Sequence, residues 1–230
     1  MRSLFRNVFL AVVAALALTA VATATASAAL PELVNSKGAE LVKKKFTTGG
    51  HKAALGLEIF NHGHETCAEL SFAGEVKGTK GGEATLTLHC IAGCRTKGAK
   101  EKEIKLPLSV NLVWLSKAKE SIALLFSIPG TVDLEKYCWG TETSSLFPLE
   151  LSGSFLVPVA ARNELRTEYT LNPNQKKSVQ EPDEYENEAG GKVKAQLETT
   201  TSLISEWKNL AMGIEGEIPM KFEEEAEFKA

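Results

Sequence analysis

One stretch of this chain, residues 104–114, constrains the fold more than any other. Apolar residues occupy every second position across it, and most positions between them are polar. Side chains alternate between the two faces of a β-strand, whereas a helix would scatter these residues around its circumference. The stretch is therefore predicted to be a strand with one buried face. That face consists of Ile104, Leu106, Leu108, Val110, Leu112 and Trp114.

A proline interrupts this strand near its start. Pro107 has no backbone N–H and cannot donate to a ladder of hydrogen bonds, so the strand lies at a sheet edge there or carries a bulge. An edge leaves backbone donors and acceptors unpaired, and another strand can add to them. Partner binding by strand addition is therefore a hypothesis that the sequence raises.

The N-terminal residues have the pattern of an export signal. Arg2 and Arg6 precede an apolar run at residues 8–22, and small residues follow up to an A-x-A pattern that ends at Ala28. The apolar run is shorter than the roughly 20 residues that a membrane-spanning helix needs. We therefore predict that residues 1–28 are a cleaved signal peptide and that the mature protein is secreted and extracellular, with no attachment to a membrane.

The charge of the mature chain argues against nucleic-acid binding. Removing residues 1–28 takes away two arginines and no acidic residue, so the formal net charge changes from −3 to −5. The sequence shows no cluster of basic residues with interleaved aromatic residues, which nucleic-acid-binding surfaces usually have.

The rest of the chain repeats the alternating pattern more weakly. Short alternating segments separated by turn residues follow one another without helical periods, which favours antiparallel strands over βαβ units. We predict one all-β domain at residues 29–230, an antiparallel β-sandwich or barrel of about ten strands stapled by disulfides. Residues 172–192 form the one long polar break and are predicted to be a loop.

Four cysteines in an exported chain predict two disulfides. Three pairings are possible, and the sequence alone does not decide between them. Our preferred pairing joins Cys90 to Cys94 and Cys67 to Cys138. The second bond closes the longer loop and would stabilise the fold by about 4 kcal/mol in the chain-entropy model.

The motifs around these cysteines carry a resemblance to a family. In chain order they are Cys67, a glycine-rich turn at residues 74–80, a strand into Cys90, a nearby second cysteine, Leu106-Pro107-Leu108, Cys138 beside aromatic residues, and a Leu-x-Gly-Ser strand at residues 151–154. This order resembles uncharacterised secreted β-rich proteins of high-GC soil bacteria, over most of the mature chain. The resemblance implies an extracytoplasmic location and a β-fold. It implies no activity, because that family has none assigned.

Two groups of residues are candidates for metal binding. His62 and His64 could offer two imidazoles to Zn²⁺ or Cu²⁺, with Cys67 as a third ligand. We favour a solvent-exposed turn instead, because a closed metal site needs further ligands that the sequence does not show. The acidic residues at 181–188 lack the spacing of a calcium loop, so we interpret them as a solvated charge run.

Aromatic residues offer a candidate sugar-binding platform. Trp139 and Tyr137 could present their rings on a surface, because Trp139 has the opposite parity to Cys138 in its strand. Trp114 belongs to the inward face of its own strand and is predicted to be in the core.

Catalytic motifs are absent from the sequence. It contains neither Gly-x-Ser-x-Gly nor His-Glu-x-x-His, and its two Ser-x-x-Lys matches lack the accompanying elements. We therefore predict a non-enzymatic protein without a cofactor that binds an unknown extracellular partner or polysaccharide or serves a structural role. The alternatives are a carbohydrate- or surface-binding module and a hydrolase with a carboxylate site outside any motif.

Overall fold

The computed structural model describes residues 30–48, 55–59, 63–90, 102–133, 150–200 and 209–230. This part of the chain holds sixteen strands and a 3₁₀ turn at Lys117–Lys119. Within it there is no α-helix and no helix that is long and apolar enough to cross a bilayer. The strands are β1 (Glu32–Asn35), β2 (Lys45–Thr47), β3 (Leu55–Ile59), β4 (Gly63–Gly78), β5 (Gly81–Cys90), β6 (Lys102–Ser116), β7 (Ser121–Asp133), β8 (Glu150–Pro158), β9 (Arg166–Leu171), β10 (Asn174–Lys176), β11 (Val179–Glu181), β12 (Glu184–Glu186), β13 (Lys192–Lys194), β14 (Leu197–Thr200), β15 (Leu210–Gly216) and β16 (Ile218–Lys229).

Fourteen of these strands form one curled antiparallel sheet, and β10 and β11 form a separate hairpin. From β3 the pairings run through β4, β5, β6, β7 and β8 to β14 and β15, and β15 pairs with β3 again. The all-β antiparallel prediction is confirmed. The sequence predicted about ten strands, and several of the additional ones have only three residues, which is too short to show an alternating pattern.

The inner face of the curl buries the apolar half of each long strand. In β6 every even-numbered side chain from Ile104 to Trp114 is at most 6% exposed. The strand and the buried face predicted from the alternation are therefore confirmed.

Aromatic rings occupy the centre of this core. Phe126 stacks on Phe155 at 4.9 Å between ring centroids and meets Phe72 edge-on at 5.8 Å. A void of about 20 Å³ remains between Phe46, Leu112 and their neighbours. That volume is about the size of one water molecule, so this part of the core is filled by side chains.

Residues 172–192, predicted as a loop, form two short hairpins in the structure. Strands β10 and β11 pair with each other, and so do β12 and β13. Polar contacts hold the first hairpin in place: the Gln180 amide donates to the Ile214 carbonyl oxygen and accepts from the Ile214 N–H, both at 3.1 Å. A hairpin fixed in this way needs no apolar alternation, which is why the sequence pattern did not predict it.

Candidate functional site

Strand β6 is paired on both sides over only part of its length. On one side β5 pairs with it from Lys102 to Asn111. On the other side β7 pairs with it from Ser109 to Ser116. No described strand pairs with residues 102–108 on that second side, which we call the open side of β6. Among the described strands, the pairing of β6 agrees on this side with the edge that Pro107 predicts.

The backbone directions explain where the pairing with β7 stops. The Leu112 N–H donates to the Lys80 carbonyl oxygen at 2.7 Å, so the even-numbered N–H groups of β6 point toward β5. The odd-numbered backbone groups point to the open side; they include the N–H of Lys105 and the carbonyl oxygens of Lys105 and Pro107.

Two prolines meet at this boundary. If the register of Ser109 with Ser127 continued, Pro107 would lie opposite Pro129. Neither residue has an N–H, so this position could form no hydrogen bond in either direction. The pairing therefore ends before it, and the register between β7 and β8 also shifts between Ser127 and Thr131.

A groove of about 590 Å³ lies on the outer face of the sheet beside this boundary. Its floor includes a row of register partners, Ala73, Thr85 and Pro107, one from each of β4, β5 and β6. These side chains are small and exposed. The outer groove therefore offers a shallow surface with little bulk, next to backbone groups that point to the open side.

Charges of both signs border the outer groove. Glu75 and Glu83 are register partners, and the Lys77 ammonium lies 3.5 Å and 3.6 Å from their carboxylates. Since all three side chains are at least a third exposed, water screens these contacts and each contributes little to stability.

A second charged pair follows along the open side. The Lys105 ammonium lies 2.6 Å from the Glu103 carboxylate. This hydrogen bond and the positive charge of Lys105 lower the pKa of Glu103 below its ordinary value. His89, whose Nε2 lies 4.0 Å from the same carboxylate, adds to the lowering when it is protonated.

Several residues predicted from the sequence fall outside the described residues. These are His62, Cys94, Tyr137, Cys138 and Trp139. The predicted aromatic platform therefore stays a prediction.

The predicted imidazole pair also stays a prediction, because of these two residues the structure describes only the backbone of His64, which pairs with Glu58 of β3. Of the two remaining cysteines, Cys67 is fully buried in β4, and its register partner in β5 is Cys90. Within the described residues there is no group of three histidine, cysteine or carboxylate side chains that could hold a metal ion.

The acidic run at residues 181–188 is held by basic partners. Glu184 lies 3.3 Å from Lys192, and Asp183 lies 3.8 Å from Lys194, in each case across the β12–β13 hairpin. These exposed contacts agree with the interpretation of a solvated charge run. Trp114 is in the core, as predicted, at 5% exposure.

Pro129 belongs to this site but was not predicted from the sequence. Pro107 and Pro129 lie at equal distances along the chain from Ala118, the middle residue of the 3₁₀ turn between β6 and β7. Folding the predicted hairpin about that residue would have placed the two prolines opposite each other, so the signal was present.

The chain was also compared with protein-family models, curated proteins and solved structures, and no match was found in any of the three comparisons.

Proposed function

We propose that this protein is an exported, non-enzymatic β-domain that binds an extended polypeptide segment along the open side of β6. One observation carries the proposal: among the described strands only β5 pairs with residues 102–108, and the outer groove lies beside them. Backbone N–H and C=O groups at such a place can pair with an added strand.

The chemistry of the open side defines the partner. The Lys105 N–H is a donor, the carbonyl oxygens of Lys105 and Pro107 are acceptors, and Pro107 contributes no donor. Residues 102–108 extend over about 20 Å, which matches a bound segment of about six or seven residues. Because the rim carries both signs of charge, backbone pairing rather than net charge would select the partner.

Small side chains on the partner suit the outer groove. Its floor of Ala73, Thr85 and Pro107 leaves room above the sheet, and a bound strand would direct alternate side chains toward it. We expect alanine, serine, threonine or valine at those positions of the partner.

The groove also holds a pair of facing carboxylates, the feature that a hydrolase would need. A general acid works best from a dry site that keeps it protonated. Glu83 is 74% exposed, and both Glu75 and Glu83 are close to the Lys77 ammonium. These two carboxylates face water and a lysine rather than a dry site, which supports a binding role over a catalytic one.

Amide hydrogen exchange on the mature protein tests whether the open side is accessible. The Lys105 amide points to the open side, whereas the Leu106 and Leu108 amides point to β5 and serve as internal controls. We expect fast exchange at Lys105 and slow exchange at both leucines. Equal protection at all three positions in the monomer would show that the site is already filled, by another part of this chain, and would refute the proposal.

A matched pair of variants tests binding itself. Lys105→Pro removes the donor at the centre of the open side and leaves the bonds to β5 intact, while Lys105→Thr removes the charge and keeps the donor. The probe is a displayed library of linear peptides selected on the mature protein. We expect selected peptides to bind the Lys105→Thr variant and to lose at least tenfold in affinity for the Lys105→Pro variant. Equal binding to the two variants would exclude strand addition here.

A further inference from the structure

The β4–β5 hairpin ends with two cysteines opposite each other. The register runs from Gly78 with Gly81 at the turn to Cys67 with Cys90 at the far end. Cys67 has no exposed surface and also faces Leu55 of β3. The structure therefore brings together two of the four cysteines through backbone pairing alone.

A β-bulge determines which face Cys67 occupies. Along β4 the side chains of Glu69 and Ser71 are exposed and those of Leu70 and Phe72 are buried. Strict alternation would place Cys67 on the exposed face. The register shifts between Cys67 and Glu69, and this extra residue turns Cys67 into the core.

The backbone geometry at this pair suits a covalent link. Lys80, which directly precedes β5, accepts the Leu112 N–H of β6, so the even-numbered backbone groups of β5 point to β6. The backbone N–H and C=O of Cys90 therefore point away from β4. Opposite residues of this non-hydrogen-bonded kind have Cα atoms about 4.5 Å apart. Disulfides span Cα separations of about 4.4–6.8 Å.

We propose that the mature protein carries a cross-strand disulfide between Cys67 and Cys90, which leaves Cys94 and Cys138 as the second pair. The bond forms by thiol–disulfide exchange with a low-molecular-weight or protein disulfide of the exporting compartment. Both cysteine sulfurs become joined, and the donor disulfide is reduced to two thiols that take up the two protons. This pairing differs from the one preferred on sequence grounds, which joined Cys67 to Cys138.

Peptide mapping of the oxidised wild-type protein separates the alternatives. Trypsin places Cys67 in residues 53–77, Cys138 in residues 137–162, and Cys90 together with Cys94 in residues 81–95. The proposed pairing links all three peptides. The pairing preferred from the sequence links only residues 53–77 to residues 137–162, and that result would overturn the proposal.

A double variant distinguishes the proposal from the third possible pairing, which also links all three peptides. In Cys94→Ser/Cys138→Ser only Cys67 and Cys90 remain. We expect no alkylatable thiol after oxidative folding and one linked pair of tryptic peptides. Two alkylatable thiols in the folded variant would overturn the proposal. If the variant does not fold, the wild-type product of three linked peptides can be fragmented by electron transfer, which identifies the bonded sulfurs. A bond between Cys67 and Cys94 would then overturn the proposal.

Discussion

The Gln180 side chain makes with Ile214 of β15 the two backbone hydrogen bonds that a neighbouring strand would make. Removing its amide therefore tests what holds the β10–β11 hairpin in place. The side chain is fully buried. Its oxygen accepts the Ile214 N–H, and its nitrogen donates to the carbonyl oxygens of Ile214 and Asn174, the latter at 2.6 Å. Gln180→Leu keeps the approximate volume and leaves these three backbone groups without their partner.

The expected loss follows from the number of groups affected. A buried backbone group without a partner costs about 1–3 kcal/mol. Burying leucine in place of the amide regains about 1–2 kcal/mol of that loss. With three groups affected, a cost of about 1.5 kcal/mol for each group gives a net loss of about 3 kcal/mol in the free energy of unfolding for Gln180→Leu. Gln175→Leu is the comparison variant, because Gln175 is partly exposed and bonds one buried backbone group, the Ser178 N–H. We expect it to lose about 1–2 kcal/mol, less than Gln180→Leu.

Gln180→Glu adds a pH test with a defined sign. The carboxyl group would face the carbonyl oxygens of Ile214 and Asn174, so it must be protonated to donate to either. The pKa of this carboxyl group would be higher in the folded than in the unfolded protein. Its protonated form therefore stabilises the fold fully below about pH 4, and this stabilisation is lost as the pH rises through the folded-state pKa.

Urea unfolding at pH 4 and pH 7 measures all three variants against the wild type. Gln180→Glu should show a greater loss at pH 7 than at pH 4, whereas Gln180→Leu should lose the same amount at both. If Gln180→Leu unfolds within about 0.5 kcal/mol of the wild type, the amide does not hold the hairpin and the reasoning is wrong.

Three further predictions concern single residues of the core and sheet. Gly153→Ala should lower stability by about 2 kcal/mol or more in thermal unfolding, because Gly153 has φ +96° and an added Cβ would lie 2.1 Å from the Gln196 carbonyl oxygen; an unchanged Tm would contradict this close approach. Phe126→Leu should cost about 1–3 kcal/mol by removing the ring contacts with Phe72 and Phe155, and a loss below about 0.5 kcal/mol in urea unfolding would be unexpected. Burial raises the pKa of Tyr169 to about 12, so stability should fall as the pH rises from about 10 to about 12, and Tyr169→Phe should flatten that part of the profile.

The sequence was most informative where burial on one face determined the pattern. Six apolar residues in alternation predicted β6 and its buried side correctly, because a shift by one residue would have exposed all of them. Pro107 predicted an edge because the missing N–H is a property of the residue itself. A glycine within an alternating strand, such as Gly153, indicates a bulge or a close approach of backbone, and the structure shows the close approach.

The sequence was least informative where an irregularity or a polar contact determined the structure. The face of Cys67 could not be predicted, because a bulge changes the parity of every position beyond it and leaves no mark in the pattern. The hairpins within residues 172–192 have strands of three residues, and the first depends on the distant Ile214 backbone. Contacts between residues so far apart in sequence follow from the tertiary arrangement alone.

The opposed prolines also have a consequence for the order of folding. Strands β6 and β7 are neighbours in sequence, and a hairpin of this kind closes from its turn outward within microseconds. Closure would proceed from Lys117–Lys119 to Ser109 with Ser127 and halt there, because the next position has no donor on either strand. The hairpin sequence alone thus determines where the pairing of β6 with β7 ends, before distant strands have docked. Replacing both prolines by valine would let this pairing run further and shorten the open side of β6.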